Sequence, residues 1–259
     1  MLQKIKSYLK FLLNSTNKHS IHSPFIYNLV TKCFNKNTLK QKSTSYLQYK
    51  QLLLDTKLSV KVTDFGAGSQ IFKNDIRKIS KIAKVAGISN RKAKLLIRFV
   101  NHFKFKNILE IGTSLGLGTT ALQLGNTNAT ITTLEGCPET AKIAAQQFEQ
   151  FNFKNINIIV GDFKKTLSEA IKNKQYDLIY FDGNHQKKAT LNYFESCLTT
   201  ITNDSVFIFD DIHWSSEMEE AWNIIKQHPK VTASIDIYYW GIIFFRKEQE
   251  KEHFIIRVS

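Results

Sequence analysis

The stretch Asn107-Ile-Leu-Glu-Ile-Gly-Thr-Ser-Leu-Gly-Leu-Gly118 decides how the rest of the chain reads. Ile108, Leu109 and Ile111 form a short apolar run of the kind that a buried parallel strand requires. Glu110 lies at its carboxyl end, Gly112, Gly116 and Gly118 follow, and Thr119–Leu124 is helix-prone. A strand that turns through glycines into a helix lets the backbone approach a ligand, with the helix N-terminus pointing at it. The spacing is Glu-x-Gly-x-x-x-Gly-x-Gly, not the Gly-x-Gly-x-x-Gly of dinucleotide binders, which disfavours a nicotinamide dehydrogenase. Taken alone, the pattern also fits a Gly-rich strand-to-helix turn that holds no ligand.

Downstream of this stretch the pattern alternates. Apolar strands are expected at 107–112, 129–135, 156–161, 176–182 and 204–210, with helices at 117–125, 138–151, 164–173, 187–199 and 215–227. Five strand–helix units of this kind imply a doubly wound, mostly parallel α/β sheet. Val231–Ile237, Gly241–Arg246 and His253–Val258 then follow with no helix between them, which reads as an antiparallel C-terminal edge.

Upstream the chain reads as mainly helical. Leu2, Ile5, Leu9 and Leu12 recur at helical spacing among Lys4, Lys6 and Lys10, and such a segment is expected to pack on its own domain. A surface-lying amphipathic helix is the other option. Ser23 before Pro24 marks an N-cap followed by proline at the first helical position, so a helix should run from there to about Phe34. His19 and His22, just before it, either line a site or are exposed linker residues. Further helices are expected at Ser43–Thr56, Asp75–Ala86 and, behind a Ser89 N-cap, Asn90–Phe103. Asp64-Phe-Gly-Ala-Gly-Ser69 imitates a cofactor turn, but no acid follows from Ile76 to Leu109 to hold a ribose, so it reads either as a turn alone or as one that closes over the site. The expected division is a basic, helical region at 1–104 and an α/β domain at 105–259.

Of 259 residues, 42% are hydrophobic and 12% aromatic, which suits a globular chain and excludes a disordered one. No apolar run approaches the roughly 20 residues that cross a bilayer, and no secretory leader is visible at the N-terminus. Cys33, Cys137 and Cys197 are odd in number and far apart, with neither a disulfide framework nor zinc spacing, so a reduced cytoplasm is expected. The net charge of +14 is unevenly spread: Met1–Leu109 holds 22 Lys and Arg against three acids, while the remainder is acidic. Such a field suits a polyanion, either RNA or an anionic membrane surface, or it is simply a solvated lysine-rich face.

Ligands in open α/β sheets bind outside the carboxyl ends of the strands. Acids fall at all five expected ends: Glu110, Glu135, Asp162, Asp182 and the pair Asp210–Asp211. Packing alone does not account for that, because unpaired buried carboxylates are costly. Glu135 lies 25 positions beyond Glu110, near the spacing of a carboxylate that accepts ribose hydroxyls. Together these features describe a nucleoside-cofactor site.

With those residues in place, 107–246 resembles a class I S-adenosylmethionine-dependent methyltransferase domain, close to the catechol-type and sugar O-methyltransferases. The resemblance implies that Glu110 and the turn Gly112, Thr113, Gly116 and Gly118 face the methionine end of the cofactor. It implies that Glu135 holds the ribose, Asp162 takes the adenine amino group, Phe163 flanks the ring, and Asp182 serves cofactor and catalysis. Metal-dependent relatives place carboxylates where Asp182, Asp210 and Asp211 stand here, so Mg²⁺ or another divalent ion is a candidate cofactor. Asp211 alternatively caps the helix that begins near Ser215. The position of the usual base is altered: Asn184 and His185 occupy it, which makes His185 the candidate base and His213 the reserve. Tyr238-Tyr-Trp240 either walls an acceptor site or fills the sheet edge.

The expected function is methyl transfer from S-adenosylmethionine to an oxygen of a small-molecule acceptor. Two rivals keep the fold. One is an RNA methyltransferase that docks through the basic first part, although no Asn/Asp-Pro-Pro-Tyr motif is present. The other is a non-catalytic binding protein that uses the N-terminal helix as an anchor.

Overall fold

A computed structural model describes residues 2–16, 21–34, 40–63 and 74–258. The turn expected at Asp64–Ser69 lies outside the described residues, as does His19. The chain forms two compact units, Asn37–Ala170 and the paired segments Met1–Lys36 and Ile171–Ser259. The helices of the 1–104 stretch are thus shared between both. Eight of the strands belong to one mixed, mostly parallel sheet with flanking helices.

In the unit Asn37–Ala170, α3 (Lys40–Asp55) leads to a short antiparallel pair, β1 (Ser59–Lys61) and β2 (Ile76–Lys78). This corrects the expected helix at Asp75–Ala86: its first turn is strand β2, and only Ile79–Val85 is helical, as α4. Val62 donates to the Asp75 carbonyl at 2.8 Å, which extends the ladder and draws these residues away from the helix. Helix α5 (Asn90–Phe103) starts where expected, because the Ser89 hydroxyl accepts the Lys92 N–H at 3.3 Å. It ends at Lys104, which takes the left-handed conformation that closes a helix.

Next come β3 (Asn107–Ile111), α6 (Leu117–Gly125), β4 (Thr130–Glu135), α7 (Pro138–Gln150), β5 (Ile156–Val160) and α8 (Phe163–Ile171). Strands β3, β4 and β5 pair in parallel, with Glu110 opposite Thr133 and Glu135 opposite Val160. Ile108, Leu109 and Ile111 are fully buried, as a strand covered on both faces demands. Lys42 of α3 reaches the last carbonyl of α6, at Gly125, over 2.9 Å and so satisfies an open helix end.

The other unit begins with α1 (Leu2–Asn14). Helix α2 (Pro24–Leu29) follows, capped by the Ser23 hydroxyl on the Ile26 N–H at 3.3 Å, and continues as a π-helical segment to Phe34. Further along are β6 (Leu178–Phe181), α9 (Lys187–Cys197), β7 (Val206–Asp210), α10 (Ser216–Gln227), β8 (Ala233–Asp236), β9 (Trp240–Phe244) and β10 (Glu252–Ile255). Their order is β10-β8-β9-β7-β6. Strand β9 is antiparallel to β7 and β8, so the expected antiparallel edge is present. The last strand departs from it, because β10 runs parallel to β8. Thr16 bridges to Ile256 beyond β10, which covers an otherwise open edge.

The packing face of α1 also differs from the expected one. Phe11 and Ser7 are buried, and Tyr8 and Phe11 contact the Tyr238 ring at 4.8 and 5.4 Å. Ile5 and Leu9 point to solvent instead. The helix packs on its own unit through an aromatic and hydroxyl face, not through the aliphatic stripe.

Gly241 of β9 shows how tightly this unit closes. A Cβ there would stand 2.5–2.8 Å from three ring carbons of Trp222 on α10. Gly241→Ala should therefore destabilise the fold by about 1–3 kcal/mol, the usual cost of overpacking. Urea unfolding should give a lower midpoint with an unchanged slope.

Candidate functional site

In the unit Asn37–Ala170, the carboxyl ends of β3, β4 and β5 carry most of the residues the sequence singled out. The turn after β3 is strained into the left-handed region at Gly112 (φ 111°), Ser114 (φ 49°) and Gly116 (φ 76°). Gly112 and Thr113 both donate their N–H groups to the Leu134 carbonyl at 3.0 Å, which ties the turn to β4. The Glu135 carboxylate completes the tie. Its Oε2 accepts the Ser114 N–H at 2.6 Å and its Oε1 accepts the Cys137 N–H at 2.8 Å. Burial pushes this carboxyl up from its ordinary value, while the Cys137 and Ser114 N–H groups pull it back. The Thr140 side chain and the Gly136 backbone add to that pull.

Glu110 sits differently from Glu135. It is fully buried at the base of the turn. Its Oε2 accepts the Thr119 hydroxyl of α6 at 2.5 Å and the Thr133 hydroxyl of β4 at 2.6 Å. Because Thr133 donates to Glu110, it accepts from the Thr113 hydroxyl in the 2.6 Å contact between them. The other carboxyl oxygen, Oε1, is buried without a hydrogen-bond partner. Burial drives the acid up to about 8, against the Thr119 and Thr133 hydroxyls that favour its charged form. Glu110 is thus mostly a neutral acid at pH 7 that joins β3, β4 and α6 beneath the turn.

Gly116 answers to packing as well as to the turn. A Cβ there would stand 2.6 Å from both the Phe148 ring of α7 and the Tyr49 hydroxyl of α3. Tyr49 itself donates to the Leu115 carbonyl at 2.9 Å, so α3 reaches into the turn and braces it. Gly118 lies buried in the first turn of α6.

After β5, Gly161 (φ 145°) donates to the Glu135 carbonyl at 2.8 Å. Asp162 Oδ1 accepts the Lys164 N–H at 3.0 Å and thereby caps α8, with Phe163 half-buried beside it. The structure therefore brings Gly112, Thr113, Gly116, Glu135, Asp162 and Phe163 to neighbouring strand ends. A concave surface of about 500 Å³, lined by Phe148, Phe153, Ile156 and Ile158, lies toward the amino end of β5 and is not part of this cluster.

In the unit formed by Met1–Lys36 and Ile171–Ser259, Asp182, Asn184 and His185 follow β6, all half-buried. Asn184 is held at φ 53° and donates its amide to the Tyr193 hydroxyl at 3.2 Å. After β7, Asp210 is buried and Asp211 takes φ 53°. Asp211 donates its N–H to the Tyr239 carbonyl and accepts the Trp214 N–H, both at 2.9 Å. Two expectations fail here. Among the described residues, no group of three or more His, Cys, Asp or Glu side chains is placed to hold a metal ion, so Asp182, Asp210 and Asp211 do not form the expected triad. Nor does Asp211 cap α10: the Ser215 hydroxyl does, accepting the Met218 N–H at 3.2 Å.

The reserve base, His213, is excluded by its contacts. Its Nδ1 lies 3.0 Å from Glu219 Oε1 and its Nε2 2.9 Å from Asp236 Oδ2. The two carboxylates raise its pKa against the opposing effect of burial, and both ring nitrogens are taken up as donors. A histidine held in this way has no lone pair to offer. Tyr238 stacks on it at 5.1 Å, so this tyrosine supports the cluster, and Trp240 is a buried strand residue.

Residues 109–212 match the methyltransferase domain family. That match runs from β3 to the turn after β7 and so takes in the glycine turn, Glu135 and Asp162. Solved structures share the fold at low identity. A methyltransferase of Podospora anserina bound to S-adenosylhomocysteine superposes with a TM-score of 0.61 at 15% identity, covering 88% of this chain and 97% of that one. An O-methyltransferase of Bacillus cereus, also in complex with S-adenosylhomocysteine, gives 0.56 at 19% over 86% and 96%. The O-methyltransferase TomG of Streptomyces achromogenes, in complex with S-adenosylmethionine, gives 0.56 at 14% over 86% and 95%.

The supports of the glycine turn were not legible in the sequence. Tyr49, Thr119 and Thr133 read as ordinary helix and strand residues, and only their contacts with Leu115 and Glu110 reveal their part.

Glu110 yields a pH prediction. Its folded value lies above the unfolded value of 4.5, so the stability that comes from burying the neutral acid is complete below about pH 4.5 and declines until about pH 8. Glu110→Gln mimics the neutral acid and does not titrate. Across that interval its stability should rise relative to the parent by a few kcal/mol, an order-of-magnitude figure, as read from urea denaturation at successive pH values.

Proposed function

We propose that the protein transfers the methyl group of S-adenosylmethionine to an oxygen of a small-molecule acceptor. The observation that carries this reading is the Glu135 clasp: a carboxyl at the end of β4, within the matched stretch, holds the glycine turn through the Ser114 N–H at 2.6 Å, at the strand ends where open α/β sheets bind ligands. In this reading the ribose hydroxyls of the cofactor donate to Glu135, the adenine lies near Asp162 and Phe163, and the methionine end lies along Gly112–Gly118. The bound cofactors named for the Podospora, Bacillus and Streptomyces proteins support the choice of donor. The O-methyltransferase activity named for two of them supports an oxygen acceptor.

Methyl transfer is an in-line displacement. The acceptor oxygen loses its proton to a base, its lone pair attacks the methyl carbon, the carbon–sulfur bond breaks, and the sulfonium becomes a neutral thioether. We assign the base to His185. It is half-buried after β6 and makes no hydrogen bond within the described residues, whereas His213 has both nitrogens engaged. To Asp182, on the same loop, we assign the orienting of the acceptor. No step is assigned to a divalent ion, because the three aspartates do not assemble a site for one. Cys33, Cys137 and Cys197 are buried and form no disulfide among the described residues, which supports a reducing, cytoplasmic setting.

Isothermal calorimetry with S-adenosylmethionine and S-adenosylhomocysteine tests the donor site. Glu135→Gln, which keeps the side chain's shape, should weaken both by tenfold or more, about 1.4 kcal/mol; unchanged affinity removes the ribose assignment. His185→Ala should leave donor affinity intact while turnover of a responsive phenolic or sugar acceptor falls by about 10²–10⁴. A pH–rate profile that keeps its acidic limb in that variant would assign the proton transfer to another group.

A further inference from the structure

Helix α1 carries two faces, and its own unit uses only one. On the inner face Phe11 is buried, the Ser7 hydroxyl donates to Glu219 Oε1 at 2.5 Å, and the Lys4 ammonium lies 3.3 Å above the Trp214 ring. The Tyr238 hydroxyl donates to the Lys4 carbonyl at 3.1 Å. On the outer face Ile5, Leu9 and Leu13 stand 51%, 54% and 87% exposed at four-residue intervals. With Leu12 beside them, the apolar arc spans about 100° of the helix at roughly 100° per residue. Lys6 and Lys10, both exposed, follow along one border of that arc. Scattered exposed leucines are ordinary on a monomer, but an aligned stripe of them is not.

The charge around the stripe selects its occupant. No Asp or Glu precedes Asp55 in the chain, so α1 is purely basic. A second copy of the helix would bury the leucines but set lysine against lysine. RNA would take up the lysines and leave the leucines wet. A bilayer with anionic headgroups uses both features at once, acyl chains for the leucines and phosphates for the ammonium groups. At 13 residues the helix is far short of a span, and no helix among the described residues is long and apolar enough to cross a membrane.

We propose that the outer face of α1 docks the protein on an anionic lipid surface, with Ile5, Leu9 and Leu13 entering the acyl boundary and Lys6 and Lys10 at the headgroups. This goes beyond methyl transfer and does not rest on it. The inner face keeps the helix folded against its unit, so the site needs no ordering of a free peptide on binding.

Co-sedimentation of the full chain with vesicles tests it, comparing phosphatidylcholine containing phosphatidylglycerol with phosphatidylcholine alone. Partitioning should be at least about tenfold stronger to the anionic vesicles and should weaken with salt. Leu9→Glu with Leu13→Glu, both exposed and outside the packed face, should abolish it with an unchanged thermal melt. Lys6→Gln with Lys10→Gln should reduce it to the level of the neutral vesicles. Failure to bind anionic vesicles overturns the proposal, as does undiminished binding by the leucine pair. So does a concentration-dependent dimer that the leucine pair makes monomeric, or binding of an RNA oligonucleotide in place of vesicles.

Discussion

The carboxyl of Glu135 is the interaction on which the strand ends of β3 and β4 depend, because it ties two turns with one group. Its two oxygens accept the backbone N–H of Ser114, in the glycine turn, and that of Cys137, after β4. A buried donor without a partner costs about 1–3 kcal/mol, so a turn with three positive-φ residues in five needs such a clasp to persist. Glu110 supports the turn from below by another route. Neutral and fully buried, it links α6 to β4 through two threonine hydroxyls. Burial raises both of these acids at adjacent strand ends, and hydrogen bonds oppose it at each.

The bracing comes from outside the strand–helix alternation. Tyr49 of α3 donates to Leu115 and fills the space beside Gly116, and Phe148 of α7 closes the other side. The glycine at 116 therefore meets two demands, a left-handed backbone and the absence of a side chain against two aromatic groups. The unit holding β6–β10 shows a parallel economy around His213. One imidazole bridges Glu219 and Asp236, and Ser7 of α1 bonds the same Glu219. The N-terminal helix is anchored through polar and aromatic contacts, which leaves its aliphatic side outward.

The periodicity of the chain carried the α/β alternation, the glycine turn, the Ser89 and Ser23 caps and the antiparallel return at β9. Each of these depends on neighbours within a few residues, where apolar spacing and capping chemistry act directly. The acids Glu135 and Asp162 were legible for the same reason, since a residue at a strand's carboxyl end is located by the strand itself.

Tertiary structure alone decided the rest. Whether Asp182, Asp210 and Asp211 gather around an ion depends on loop conformations such as the φ of 53° at Asp211, which a residue count does not contain. That His213 is spent on two carboxylates follows from Asp236, 23 positions away, being brought within 2.9 Å. The outward side of α1 was likewise undetermined, because an amphipathic stripe states that a helix has two faces but not which one its neighbours will cover. Local spacing dictates elements and their ends; contacts between residues distant in the chain dictate what each polar group is left free to do.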